Sequence, residues 1–464
     1  MGESGQDTVN WIKVKLREIW EHPRIQKIFR DSSWLFSSNM VTMVLGIVQS
    51  SLSARLLGVY NFGLLGVITN FASTINNLFS FRMSEVVVKY LGSFIEEEAA
   101  DKAGALIKAA ALIEAAFATL AFGFLCLVAP LGARLLAKDA SFAGLFIFYG
   151  VIILANMFYE TSFGVIQVLG LFKGQAIINS IQSAVTALVI VVAFILKGNL
   201  ETIVLAYFLG KLILGISPAI LASRGLTKEL GRAWWKAPLR EMPEWREMLH
   251  FGVGSNLSAT VNMIVRDSEL LWISYFLSPA EAGFYKVAVA INRYILLPIN
   301  PFIQTTYPEI AKYIKNNMWK PLRTFLRKIT AISGLWTLAC AIGLVLFGKL
   351  AIRVYAGDEF LPAYPAMLIL LIGYGLANIF FWNRSLLLSF GDSLYAFVAM
   401  LVAGLVKIFG GFLLVPQNGY LAEAALFSLF FVLSVSLNLI RGFLRLRKAE
   451  KEHPEAEQIE GEMV

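Results

Sequence analysis

Long apolar runs separated by short polar stretches recur along nearly the whole chain. They fall near residues 33–57, 60–81, 104–130, 142–169, 175–196, 200–222, 251–277, 281–306, 328–348, 362–383, 391–415 and 419–441. Each is close to the roughly 20 residues that a helix needs to cross a bilayer, and none alternates apolar and polar positions at period two. Only helices and closed barrels satisfy every backbone group in lipid, so the pattern predicts an all-α polytopic membrane protein with about twelve transmembrane helices. Composition agrees: 57% of the 464 residues are hydrophobic and mean hydropathy is +0.67, which leaves no stretch for a sizeable soluble domain.

Charge then orients the spans. Lys and Arg crowd the N-terminal segment, the loop after the sixth span (Arg224, Lys228, Arg232, Lys236, Arg240, Arg246), the loop after the eighth (Lys312, Lys315, Lys320, Arg323) and the C-terminal tail. The opposite loops hold only Arg55, Arg134, Lys138, Lys197, Lys349 and Arg353. Basic residues accumulate on the cytoplasmic side, so both termini are expected there, and the net charge of +8 is first a topology signal. The expected organisation is an amphipathic N-terminal helix at 1–32, an N-terminal lobe at 33–222, an interlobe linker at 223–250, a C-terminal lobe at 251–443 and a charged tail at 444–464. The opening "TVNWIKVKLREIW" lacks the apolar core of a signal peptide. It reads, with "GRAWWKAPLREMPEW", as an interfacial basic segment on anionic headgroups.

The halves echo each other. An offset of 220 residues sets Leu57 on Leu277, Gly63 on Gly283, Ser38 on Ser258 and Met43 on Met263. Each half makes an even number of crossings, so the repeats are parallel, about an axis along the membrane normal, and substrate sites in such proteins lie between the halves.

Two polar stripes cross this background. Lys286, Arg293, Asn300 and Gln304 follow helical steps in the eighth span, and Ser258, Asn262, Arg266 and Glu269 follow them in the seventh. The offset maps the first stripe onto Gly66, Ser73, Ser80 and Ser84, and the second onto Ser38, Thr42, Gly46 and Gln49. A cation at mid-membrane costs at least ~3 kcal/mol, so such residues face a partner, a cavity or a ligand. Arg266, Arg293 and Lys286, with Asn262, Asn300 and Gln304, are therefore the candidate substrate-binding residues of a cationic cavity. Guanidinium groups suit phosphate oxygens, and an anionic substrate follows. Asp267, Glu269 and Glu160 are candidates for ion coupling or for pairing these cations; Lys211 and Lys407 are further intramembrane charges. Cys126 and Cys340 lie apart inside spans, and His22, His250 and His453 sit at or beyond membrane edges. Nothing in this pattern implies a metal, a cofactor, a nucleic-acid partner or a catalytic triad.

"RLLGVYNFGLLGVITNF", "RDSELLWISYFLSPAEAGFYKVAVAI" and "YPEIAK" resemble the polysaccharide-biosynthesis flippases of the multidrug/oligosaccharidyl-lipid/polysaccharide exporter superfamily, with Asp267, Gly283 and Tyr285 at the positions of the family pattern. The resemblance implies two six-helix lobes around a central cavity. It implies alternating access that carries a polyprenyl diphosphate-linked oligosaccharide from the inner to the outer leaflet, its diphosphate against the cationic wall. The chain lacks an acidic cluster in the first span and thirteenth and fourteenth spans. A cation-coupled small-molecule exporter, driven by H+ or Na+ through Asp267 and Glu269, is the competing expectation. An enzyme would need a large extramembrane loop, whereas the longest outer loop carries only Asp358 and Glu359.

Overall fold

A computed structural model describes residues 23–80, 83–241, 263, 265, 267–296 and 299–452, with side chains from Ser33 onward except those of 295, 296, 300, 301 and 304. The described residues contain no strand. The helices are α1 Pro23–Phe79, α2 Met83–Glu96, α3 Ala100–Gly132, α4 Ala143–Gly150, α5 Ile152–Ala155, α6 Tyr159–Val168, α7 Phe172–Ile195 and α8 Leu200–Leu230 in the first half. In the second half they are α9 Glu269–Phe276, α10 Pro279–Leu296, α11 Asn300–Lys315, α12 Trp319–Tyr355, α13 Ala363–Ile379, α14 Asn383–Ser389 and α15 Ser393–Glu452.

α1 and α15, at 57 and 60 residues, would each run about 85–90 Å if straight, far beyond a bilayer core of roughly 30 Å. Each reverses at a glycine in the left-handed region, Gly58 (φ 66°) and Gly419 (φ 69°), so each makes two crossings. A side chain at either position would clash with its own backbone, which is why glycine sits at both turns. With these turns the chain is a multi-pass membrane protein in which the predicted spans one to six and nine to twelve appear in order.

Several elements depart from the sequence pattern. The fourth span is not continuous: it breaks between α5 and α6, at residues 156–158. The predicted eighth span is two helices, α10 and α11. The sequence there carries Pro298 and Pro301, and proline supplies no backbone N–H to continue a helical ladder. The stripe of Lys286, Arg293, Asn300 and Gln304 is therefore confined to one helix only as far as Arg293; Asn300 opens the next, and the side chains of Asn300 and Gln304 lie outside the described set. Asn262 and Arg266, with most of the seventh span, also lie outside the described residues.

Of the predicted N-terminal amphipathic helix, residues 1–22 are outside the described set and Pro23 onward belongs to α1. α8 runs past residue 222 to Leu230 and α15 past 443 to Glu452, so parts of the expected linker and tail are helical. α2 is an extra helix: Met83, Val86, Val87, Leu91 and Phe94 recur at helical spacing and bury against Leu106, Ile107, Val165 and Ile166. The linker segment "GRAWWKAPLRE" does not form a long amphipathic helix; it makes short turns at Trp234–Lys236 and Leu239–Glu241, with Ala237 O accepting from Lys108 Nζ at 3.4 Å.

The repeat becomes a contact at the lobe interface. A Cβ added to Gly63 would lie 1.7 Å from Pro279 O, and one added to Gly283 would lie 2.4 Å from Val59 O. Gly63 and Gly283, like Val59 and Pro279, are 220 residues apart, so each contact is returned by its pseudo-symmetric mate, as in an isologous two-fold interface. The pseudo-axis thus passes between α10 and the second crossing of α1. Beside it a single apolar core, with Phe62, Leu65, Ile68, Ala282, Tyr285 and Phe360, joins the two halves.

Candidate substrate cavity between the lobes

One face of α10 presents Tyr285, Lys286, Val289, Ala290, Arg293 and Tyr294 to a cavity of about 390 Å³. The opposite wall is Ser50 and Asn70 of α1 with Tyr355 of α12, and Asp267, Glu269 and Leu270 complete it. The other face of α10 is buried: Asn292, fully inaccessible, donates to Met367 O at 2.9 Å and fixes the helix against α13. This anchoring sets the rotation of α10 and therefore which residues face the cavity.

The structure brings together four of the sequence-predicted residues: Lys286, Arg293, Asp267 and Glu269. Lys286 reaches across the lobe interface. Its Nζ donates to Phe62 O at 3.3 Å, lies 3.9 Å from the Phe62 ring centroid, and packs over Gly66, its own equivalent in the repeat. Arg293 is open to the cavity, with its guanidinium bonded to the Tyr374 hydroxyl and within electrostatic range of Glu269 and Asp267. Asp267 has an exposed side chain, and its backbone O accepts from Asn70 Nδ2 at 2.7 Å.

Glu269 is otherwise engaged. Its Oε1 accepts from Lys407 Nζ at 2.7 Å and its Oε2 from the Tyr285 hydroxyl at 3.0 Å. Lys407 also donates to Val265 O at 2.6 Å, lies 3.3 Å from Glu423, and sits 4.7 Å from the Phe427 ring. Lys407, Glu269 and Glu423 are 4%, 5% and 2% exposed, which makes this a fully buried triad of charges. From the sequence Lys407 is only a further intramembrane charge. The usable signal is that intramembrane charges seek one another, but Glu269 on α9 lies 138 positions from Lys407, and Glu423 is on α15 itself.

Glu160 lies elsewhere, in the N-terminal half, where its Oε2 accepts from Ser84 Oγ at 2.5 Å. Nor do Ser38 and Gln49 face the central cavity: both are buried and bond α7, to Ala176 O at 2.9 Å and Ser183 O at 2.8 Å, so that part of the mapped stripe holds two helices together.

At the end of the molecule marked by Gly58 and Gly419 the halves are stitched to each other. Arg55 Nη2 donates to Val354 O (2.5 Å), Ser51 Oγ to Tyr355 O (2.5 Å), Lys138 Nζ to Tyr275 O (2.6 Å) and Ser274 Oγ to Leu136 O (2.6 Å). The two halves are therefore held together at this glycine end.

Residues 28–314, well over half of the chain, match the family described as polysaccharide biosynthesis protein. The teichuronic acid biosynthesis protein TuaB of Bacillus subtilis (strain 168) is 25% identical over 213 residues, which cover 42% of this chain and 43% of that protein. The chain thus matches less than half the length of this relative. Among solved structures, an inward-facing MATE-family multidrug resistance transporter of the MOP superfamily superimposes with a TM-score of 0.72 at 11% identity, over 89% of this chain and 96% of the other. The lipid II flippase MurJ, in an inward closed conformation, gives 0.67 at 14% identity, over 89% of each chain. These likenesses show a shared fold.

Proposed function

The chain belongs to the polysaccharide biosynthesis protein family; from that premise we propose that it is a membrane flippase, moving a polyprenyl diphosphate-linked oligosaccharide from the inner to the outer leaflet of the cell membrane by alternating access. The observation that carries this reading is the placement of Lys286 and Arg293 on one face of α10, inside the cavity between the halves. Glu269 is already bonded to Lys407, which leaves Lys286 and Arg293 against Asp267 as the cavity-facing charges among the described residues. A diphosphate accepts from a guanidinium in the two-pronged geometry that arginine offers. In this reading Arg293 takes the diphosphate, and Arg266, Asn262, Asn300 and Gln304 complete the polar wall.

Orientation follows from charge. With the basic loops and both termini on the cytoplasmic side, the stitched glycine end faces outward, and this conformation receives substrate from within. Release requires the contacts of Arg55, Ser51, Lys138 and Lys286 with the opposite half to break. Lys286 then has two roles: it holds the closed outer end through Phe62 O, and it becomes free for the anionic headgroup when that end opens. Coupling to H+ or Na+ falls to Asp267 and Glu160, whose carboxylates have no ammonium partner among the described residues. A cation-coupled exporter working through Glu269 is disfavoured, because Lys407 already neutralises that carboxylate.

The test is a leaflet-accessibility assay in proteoliposomes with a defined polyprenyl diphosphate sugar. Arg293→Ala should abolish flipping while the protein still inserts. Near-normal transport by this variant would refute the assignment of Arg293 to the diphosphate.

A further inference from the structure

A second cavity, of about 270 Å³, lies inside the N-terminal half. Its walls are a polar stripe on α1 (Ser73, Asn76, Asn77, Ser80), Glu114 and Phe117 of α3, the broken fourth span at Asn156, Tyr159 and Glu160, and Lys211 of α8. Ser73 and Ser80 are repeat counterparts of Arg293 on α10 and Asn300 at the start of α11, so this cavity absorbs part of a pattern that the central one does not.

The wall separates into spent and unspent groups. Glu114 is spent: Oε1 accepts from Glu160 N (2.8 Å), and Oε2 from Thr161 N (3.0 Å) and Thr161 Oγ1 (2.7 Å). It thereby caps the first turn of α6 where the span is interrupted. Lys211 Nζ, the amides of Asn76, Asn77 and Asn156, and Glu160 Oε1 have no hydrogen-bond or ion-pair partner among the described residues. The unspent set therefore mixes donors with acceptors, beside the rings of Phe117 and Tyr159.

We propose that this N-terminal cavity is a subsite for one uncharged sugar ring, its hydroxyls taken by Asn76, Asn77, Asn156, Lys211 and Glu160 and its C–H face laid on Tyr159 and Phe117. A hydroxyl both donates and accepts, so a polyol satisfies both kinds of wall group at once. A phosphate would engage Lys211 and the amides but meet two carboxylates, and an organic cation would engage Glu160 but meet Lys211. Size agrees, since the volume is just under the roughly 300–1,000 Å³ of drug-sized pockets. Position agrees as well: Ser73 is one turn from Asn70, which lines the central cavity on the same helix. A sugar held here can thus be joined to a diphosphate held there. The inference rests on the flippase reading for its biological meaning but not for its test.

The experiment is saturation-transfer NMR on the full chain in lipid nanodiscs, with D-glucose, N-acetyl-D-glucosamine, tetramethylammonium and inorganic diphosphate as separate probes. Saturation transfer to at least one of the two sugars is expected in the unmodified protein. It should fall about fivefold or more in Asn77→Leu and in Lys211→Gln, both checked for monodispersity, and stay unchanged in Arg293→Ala. Transfer to neither sugar, sugar signals that survive both N-terminal variants, or transfer to tetramethylammonium with none to sugar would each overturn the subsite. Sugar binding without flipping in proteoliposomes would count against the flippase reading alone; flipping without sugar binding would count against the subsite alone.

Discussion

Replacing Lys407 with methionine isolates the energetics of the buried triad. The ammonium lies 2.7 Å from Glu269 and 3.3 Å from Glu423, with all three side chains at most 6% exposed. Methionine keeps the length of the lysine stem, so packing changes little, but two buried carboxylates lose the ammonium that pairs them. Breaking a buried ion pair from one side costs about 3–5 kcal/mol. Glu423→Gln preserves shape and leaves the Glu269–Lys407 pair intact, so its cost should stay below about 1 kcal/mol. Removing all three charges together, with Lys407→Met, Glu269→Gln and Glu423→Gln, should recover most of the stability lost in Lys407→Met alone. Unfolding in mixed micelles, followed by tryptophan fluorescence against denaturant, reads these differences as midpoint shifts. The reasoning is refuted if Lys407→Met unfolds within about 1 kcal/mol of the unmodified protein, or if Glu423→Gln loses as much as Lys407→Met.

Three further outcomes follow from the geometry. Gly63→Ala places a Cβ 1.7 Å from Pro279 O, where real Cβ atoms do not come within 3.0 Å, so the halves must part there; spin labels at Arg134 and Lys349, both exposed, should show a longer distance distribution, and an unchanged one would contradict the close approach. Glu114→Ala removes the acceptor for two backbone N–H groups at the interrupted fourth span, which should cost about 1–3 kcal/mol in the same unfolding assay, with Glu114→Gln between that variant and the unmodified protein. Asp392, in the turn before α15, is held below the usual carboxylate range by hydrogen bonds from Arg445 (2.6 Å) and then Arg441 (3.0 Å). Its contribution is therefore fully present above the unfolded value near pH ~3.9 and is lost as pH falls through the lowered folded value. Asp392→Asn should cost about 1 kcal/mol at neutral pH, because both arginines are more than a third exposed, and the gap between variant and unmodified protein should close only in acid.

The sequence by itself determined what depends on neighbours along the chain. Apolar run length specified the crossings, because a helix is the one open segment that satisfies its own backbone in lipid. Helical spacing specified that Lys286 and Arg293 share a face, and the 220-residue offset paired Gly63 with Gly283, which the fold then brings into contact. The tertiary structure decided whatever depends on a second helix. Helical spacing places Lys286 with Arg293, and the fold adds that its Nζ bonds Phe62 O across the interface. Glu269 is by sequence a candidate for coupling or for pairing a cation, and the fold supplies the cation from Lys407, 138 positions away. Ser38 and Gln49 looked like cavity wall, and they bond α7. The fourth span is interrupted where Asn156, Glu160, Thr161 and Ser162 break its apolar run, but the carboxylate that accepts from Glu160 N and Thr161 N belongs to Glu114 on α3, which no local pattern announces. Periodicity fixes which way a residue points from its own axis, but rotation and approach of the axes arise from non-local packing, and it is these that sort the intramembrane charges into a buried triad, an interface contact and two cavities.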